Sequence, residues 1–244
     1  SDNQPCARLL GIETATDACS VALCVNGETT QRHECQPRQH SRRLFPMLND
    51  LLSHRAPAAV ELDAIVYGCG PGSFTGLRIA ASAVQGLAFS LDLPVVPVST
   101  LACQAATARR ERGMPDDATI LSSLDANIGQ VYWALYQVTA DGLEELMPPA
   151  VCVPGELPAT AILARLRPCI TLVHVGSGAM LLCDAAGLPA STRYPDVLPQ
   201  ARDLLPFAGK ALAQGAIQCA SEVSPQYVQD ATRWKKLGQQ GPRP

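Results

Sequence analysis

The chain has 244 residues, 47% of them hydrophobic and 17% charged, and a net charge of −3. That is enough apolar material for one large domain or two small ones and excludes a disordered chain. Three lysines against sixteen arginines and a slight negative balance exclude a protein that grips nucleic acid alone through a broad basic face.

The N-terminal residues Ser1-Asp2-Asn3-Gln4-Pro5 carry no basic segment followed by an apolar stretch. No apolar run reaches the ~20 residues of a membrane span. Ten cysteines lie mostly inside apolar runs: Cys6, Cys19, Cys24, Cys35, Cys69, Cys103, Cys152, Cys169, Cys183 and Cys219. No two form a Cys-x-x-Cys pair, so they read as small buried hydrophobes of a reducing, cytoplasmic environment rather than as a disulfide framework or zinc site.

Taken in order, Arg8 to Glu13 is an apolar run ending in an acid, and Ala18 to Val25 is a second. Asn26-Gly27 is a hairpin turn, and Glu28 to Glu34 is a polar outer strand, which completes a three-stranded meander. From Ser41 the residues Leu44, Leu48, Leu51 and Leu52 share a helical face. Pro46 predicts a late start or a kink there. Ala64 to Val66 leads a buried strand, and a glycine-rich loop then opens a helix reaching Leu91. Val95 to Val98 is a strand and Thr100 to Arg110 a third helix.

The charged stretch Arg109 to Asp117 reads as a junction. Beyond it the pattern restarts, with strands at Thr119 to Asp125 and Val131 to Val138. A helix at Pro158 to Leu166, a strand at Thr171 to Val175 and a helix at Leu204 to Gln214 follow. Strand, acid, polar turn, strand occurs twice: once at Ile12-Glu13-Thr14-Ala15 and once at Leu124-Asp125-Ala126-Asn127. The chain thus divides into halves 6–108 and 109–224 with a tail 225–244. Its expected fold is α/β: two β-meander-plus-helix halves of a duplicated fold like that of actin, hexokinase and Hsp70.

Three segments bear on chemistry. In such a fold the turn Glu13-Thr14-Ala15-Thr16 faces the cleft, where Thr14 and Thr16 can meet a phosphate and Glu13 a metal-bound water; an ordinary hairpin reads equally well. In Gly70-Pro71-Gly72-Ser73-Phe74-Thr75-Gly76, Gly70, Gly72 and Ser73 open a helix as an anion site would. No lysine follows at P-loop spacing, which argues against an unaided NTPase. The helix itself has two faces. Leu77, Ala80, Ala81, Val84, Leu87, Ala88 and Leu91 form an apolar stripe, while Ile79, Ser82, Ala83, Gly86 and Ser90 are mostly small. It is uncharged from Ile79 to Leu91. One face fits its own sheet and the other a foreign helix. The candidate partner surface therefore comprises Leu44, Leu48 and Leu51 of the first helix with Leu77, Ala80, Ala83, Val84 and Gly86 of the second, half of a four-helix bundle. His33, His40, His54 and His174 show no metal-ligand spacing, and no nucleophile–base pair stands out.

Gly70-Pro71-Gly72-Ser73-Phe74-Thr75-Gly76-Leu77-Arg78-Ile79 resembles the TsaB (YeaZ) family. Gly11 to Thr16, His40-Ser41, Asp125-Ala126 with Val131-Tyr132, and Pro225-x-Tyr227 match it in order. Asn127, Gln130 and Gln229 depart from it, standing where Arg, Glu and Arg are expected. The resemblance implies a duplicated actin-like ATPase fold of the ribonuclease H-like (ASKHA) group. It implies a non-catalytic paralogue of TsaD that serves threonylcarbamoyladenosine formation on tRNA. It further implies docking on a TsaD-like catalytic subunit through the first two helices, a TsaE-like ATPase joining them, tRNA engaged only indirectly, and a homodimer when alone. No metal or tightly bound cofactor is implied, and ATP or ADP at the partner interface is left open. An ATP-dependent phosphotransferase of the same fold, with Glu13 and Asp125 as metal and base candidates, is the alternative. A peptidase is a weaker third reading.

Overall fold

The computed structural model describes residues 7–166, 172–183, 187–188 and 192–228. The first half contains strands β1 (Leu9–Glu13), β2 (Ala18–Val25) and β3 (Glu28–Cys35), then helix α1 (His40–Leu51). It continues with β4 (Ala64–Gly70), α2 (Phe74–Leu91), β5 (Val95–Ser99) and α3 (Thr100–Arg112). The second half contains β6 (Thr119–Asp125), β7 (Val131–Thr139) and β8 (Gly142–Cys152), then α4 (Ala159–Leu163). It closes with β9 (Leu172–Val175), α5 (Ala179–Cys183), β10 (Thr192–Tyr194) and α6 (Leu205–Gln214).

The two sheets have one topology. The first runs β3-β2-β1-β4-β5 and the second β8-β7-β6-β9-β10. In each, the first three strands are antiparallel neighbours and the last two are added parallel. Strand and helix order match as well, so the chain is a duplicated actin-like, ribonuclease H-like α/β fold. The copies differ where the outer helices lie. α1 and α2 have 12 and 18 residues, whereas α4 and α5 have five each.

Alternation along the strands sorts side chains into three cores. Leu10 and Ile12 of β1 pack with α1 and α2 outside the first sheet. Ala134, Tyr136 and Val138 of β7 point inward to a core between the sheets, filled by Leu101, Ala105 and Ala108 of α3. Val131, Trp133 and Leu135 point to a smaller core outside the second sheet. α3 is buried around most of its girth from Thr100 to Ala108, polar Thr100, Gln104 and Thr107 included, because it is covered from both sides.

Several expectations need correcting. α1 begins at His40 and runs through Pro46 without a late start. α4 is half the predicted length, and Thr171 lies outside the described residues. β8, α5 and β10 were not foreseen. β8 carries Pro148 and Pro149, which an edge strand tolerates because its outer N–H groups need no partner. α2 is long and apolar enough, by length and composition alone, to cross a membrane. Its inner face packs instead in the core of the first half. Cys19, Cys24, Cys35, Cys69, Cys103 and Cys219 are free thiols, while Cys6, Cys169 and the Cys183 side chain lie outside the description.

Candidate cleft and helix face

A cleft of about 550 Å³ opens between the halves. The β1–β2 turn (Ala15, Thr16, Asp17) and residues 72–75 line it from one side, and Asp125, Ala126, Asn127, Tyr132 and Ser177 from the other. Of the six residues singled out for nucleotide contact, Thr16, Gly72 and Ser73 line it, whereas Glu13, Thr14 and Gly70 do not.

The glycine-rich loop is shaped by its contact with the β1–β2 turn. A Cβ on Gly72 would lie 2.3 Å from the Ala15 carbonyl oxygen, and one on Gly76 would lie 2.0 Å from that of Thr14. The Ser73 N–H donates to the Ala15 oxygen at 2.7 Å. The Thr14 hydroxyl donates to the Gly76 oxygen at 2.7 Å. Ser73 caps α2 by accepting from the Gly76 N–H at 3.3 Å. Gly70, at φ 116°, faces the Gln226 carbonyl oxygen. Two of the loop's N–H groups are thus committed within the fold, and its glycines serve close backbone packing.

Glu13 is fully buried and points away from the cleft into the space left by Gly68, whose Cβ would fall 1.7 Å from the carboxylate. Burial raises its pKa to about 7, against hydrogen bonds from the Ala15 N–H (2.7 Å) and the Thr100 hydroxyl (3.2 Å) that favour the charged form. It ties the end of β1 to the start of α3. Gly68 and Thr100 escaped sequence reading, since neither sits in a motif. Asp125, the positional counterpart, is exposed and accepts from the Asn127 N–H at 2.8 Å, bracing its own turn. The lining carries the acids Asp17 and Asp125 and no lysine or arginine. Asn127, which departs from the arginine that the resemblance implies, lines it as well. Its neighbour Gln130 is nearly buried with an unpartnered amide nitrogen, and Gln229 lies outside the described residues.

No cluster of metal-ligating side chains occurs among the described residues. His40 donates from Nε2 to the Thr16 carbonyl (2.7 Å), fastening α1 to the β1–β2 turn. His174 is buried, both ring nitrogens lack partners, and burial lowers its pKa to about 4. Neither is paired with a nucleophile.

The partner-face residues split sharply. Leu44, Leu48, Leu51, Leu77, Ala80, Ala83 and Val84 are all buried in the first half. They are core residues, because the stripe that faces the sheet is the strongly apolar one. Leu44 and Ala83 show only an edge to the groove between α1 and α2. Gly86 is exposed, and a Cβ there would meet nothing within 4 Å. The outer surface was therefore assigned to the wrong large residues. On α2 it is the row Thr75, Arg78, Ser82, Gly86 and Phe89, spaced three to four apart, with the half-buried Ile79 beside it. On α1 it is Ser41, Phe45 and Asn49. Phe45 is 59% exposed, Phe74 56% and Phe89 83%, and such protruding rings are the signal that stripe counting overlooked. Tyr227 stacks on Phe74 with ring centres 4.5 Å apart. The Arg78 guanidinium covers the same ring at 4.3 Å.

Duplicated sheets with a cleft between equivalent turns define a protein of the actin-like ATPase fold class. A family model described as "TsaD: tRNA N6-adenosine threonylcarbamoyltransferase" matches residues 31–166. The chain is 35% identical to the tRNA threonylcarbamoyladenosine biosynthesis protein TsaB of Escherichia coli, over 94% of this chain and 98% of that one. It is 33% identical to the Haemophilus influenzae protein of the same name, over 94% and 96%. The solved structure of YeaZ from Pseudomonas aeruginosa superposes with a TM-score of 0.81 at 36% identity, covering 91% of this chain and all of that one. A second P. aeruginosa structure, described as similar to peptidase YeaZ, gives 0.80. The chain belongs to the TsaB (YeaZ) family of tRNA threonylcarbamoyladenosine biosynthesis proteins.

Proposed function

We propose that the chain is a non-catalytic subunit of the machinery that places threonylcarbamoyl on a tRNA adenosine, and that it acts by docking on a TsaD-like catalytic subunit. The observation carrying this is the outer α1–α2 face: Phe45 and Phe89 stand out beside the small residues Ser82 and Gly86 and the half-buried Ile79, with no charge from Ile79 to Leu91. Small residues let a foreign helix approach closely, and the rings around them supply buried area. A TsaE-like ATPase and tRNA join through the catalytic subunit, ATP or ADP binds at the partner interface, and a second copy takes the same face when the partner is absent.

The cleft supports the non-catalytic part. It offers phosphates two carboxylates and no cation, and Glu13 is turned away from it. This weighs against the phosphotransferase alternative, and the lack of a nucleophile–base pair among the described residues weighs against a peptidase. The test is co-purification with the TsaD-like subunit, with the tRNA modification assayed alongside. Gly86→Trp and Phe89→Asp alter only exposed positions and should leave folding intact while abolishing co-purification and modification. If both variants still bind the subunit, the docking assignment is wrong. ATP turnover by the isolated chain, lost in Glu13→Gln, would instead support the phosphotransferase.

A further inference from the structure

Past α6 the chain returns to the first half and is fastened there. The Gln218 N–H donates to the Val95 oxygen at 2.8 Å, and the Val95 N–H to the Gln218 oxygen at 2.9 Å. The Tyr67 hydroxyl donates to the Ser224 oxygen at 3.1 Å, and the Gln226 N–H to the Cys69 oxygen at 2.8 Å. The chain is thereby held as far as Tyr227. Its ring stacks on Phe74 at the cleft rim, and its hydroxyl accepts from Arg78 Nε at 3.3 Å.

Both rings stay open to solvent, Phe74 by 56% and Tyr227 by 41%. Arg78 is exposed and has no carboxylate partner among the described residues. An exposed aromatic pair beside a free guanidinium can take a planar π system and an anion together. Residues 229–244 lie outside the described residues, and their sequence carries the same chemistry. Arg233, Lys235, Lys236 and Arg243 against Asp230 leave this segment at +3 in a chain whose total is −3, and two of the chain's three lysines are in it. Trp234 stands among these cations. Arg233 follows Tyr227 at a distance of at most about 21 Å of extended chain.

We propose that Tyr227 with Phe74, Arg78 and the basic tail form an auxiliary contact for single-stranded RNA, with an unpaired base on the exposed rings and phosphates on Arg78, Arg233, Lys235 and Lys236. Aromatic platforms beside a cationic track hold single strands whatever their sequence. An A-form duplex offers no free base face and gains only from the charges. A membrane surface attracts the cations but gives two flat rings stacked at a cleft rim nothing to do. Asp17 and Asp125 repel phosphates from the cleft itself, so the strand crosses the rim without entering. The choice of RNA over DNA rests on the function proposed above. The catalytic subunit keeps the main hold on the RNA, and this contact adds to it.

Fluorescence anisotropy of the intact chain with a labelled single-stranded RNA of about 15 nucleotides tests this. Binding should have a Kd of about 10–100 µM at about 50 mM salt, and four phosphate contacts give a log–log salt slope of about −3. The triple variant Arg233→Gln/Lys235→Gln/Lys236→Gln should bind at least about tenfold more weakly, with the slope flattened to about −1. Tyr227→Ala should lose about tenfold with the slope kept, and Tyr227→Trp should restore the affinity. A duplex of the same length should show no dependence on Tyr227. All variants should still co-purify with the TsaD-like subunit, so the contact can fail while docking stands, and docking can fail while RNA binding by the isolated chain stands. The proposal is overturned if the single strand does not bind up to about 0.5 mM protein, or if the triple variant or Tyr227→Ala binds as the parent does. It is overturned equally if Tyr227→Ala weakens duplex binding as much, if phosphatidylserine vesicles bind and the RNA does not, or if the triple variant loses the TsaD-like subunit, since the tail then serves docking.

Discussion

Gly76 and Gly86 lie in one helix, and the structure assigns them opposite consequences on substitution. At Gly76 a methyl group would sit 2.0 Å from the Thr14 carbonyl oxygen and 3.5 Å from the Ser73 Cβ. Backbone cannot swing aside as a flexible side chain can, so α2 and the β1–β2 turn must separate by more than 1 Å. Overpacking of this kind costs about 1–3 kcal/mol. The separation also strains the Thr14–Gly76 and Ser73–Ala15 bonds, each worth about 1 kcal/mol. Gly76→Ala should therefore lose about 3–5 kcal/mol, or roughly 6–20 °C in Tm for a chain of this size. At Gly86 a Cβ meets nothing within 4 Å, and replacing a mid-helix glycine by alanine gains about 0.5–1 kcal/mol. Urea unfolding followed by far-UV circular dichroism, run in parallel on both variants, measures the difference. If Gly76→Ala falls within about 0.5 kcal/mol of the parent, the tight contact between loop and turn is not what requires the glycine.

Leu44 is fully buried and Phe45 59% exposed, so Leu44→Ala should cost about 2–5 kcal/mol, whereas Phe45→Ser should stay within about 0.5 kcal/mol and weaken only partner binding; denaturation and pull-down measure the two effects separately. Asp203 accepts from Arg110 at 2.8 and 2.9 Å and from the Thr107 hydroxyl at 2.8 Å. Asp203→Ala should lose about 2–3 kcal/mol because it leaves a buried hydroxyl and a half-buried guanidinium unmet; a loss under about 0.5 kcal/mol would show that water replaces the carboxylate. Burial raises the Glu13 pKa from 4.5 to about 7, so its contribution to stability declines as pH climbs from 4.5 through 7. Burial lowers the His174 pKa from 6.5 to about 4, so its contribution declines as pH drops from 6.5 to 4. The slopes oppose each other in the parent. Glu13→Gln should unmask stability that rises with pH between 4 and 6.5, and a urea midpoint that stays flat across that range would contradict the burial argument.

The first half was almost wholly legible as sequence. Its inner strands are short, mostly apolar runs, almost wholly buried, Asn26-Gly27 marks the hairpin, and α2 carries its own cap at Ser73, so local signals agree with the final packing. The second half was less legible because its elements depend on neighbours. β8 is an edge strand broken by two prolines and held by pairing with β7, and five-residue helices such as α4 and α5 are too short to establish a period.

At the cleft the pattern was visible and the orientation was not. The repeated strand–acid–turn motif pointed to equivalent turns, and the sheets bear out the duplication. Sequence could not tell that Glu13 turns inward to Gly68 and Thr100 while Asp125 faces solvent, since that depends on which neighbour leaves room for a carboxylate. The helix face failed for a related reason. Composition established that α2 has one strongly apolar stripe and one stripe of small residues. Only tertiary structure decided that the first is consumed by the sheet, leaving Phe45, Phe89 and Gly86 outward, because hydrophobic burial depends on area and fills the nearest sheet before any partner arrives.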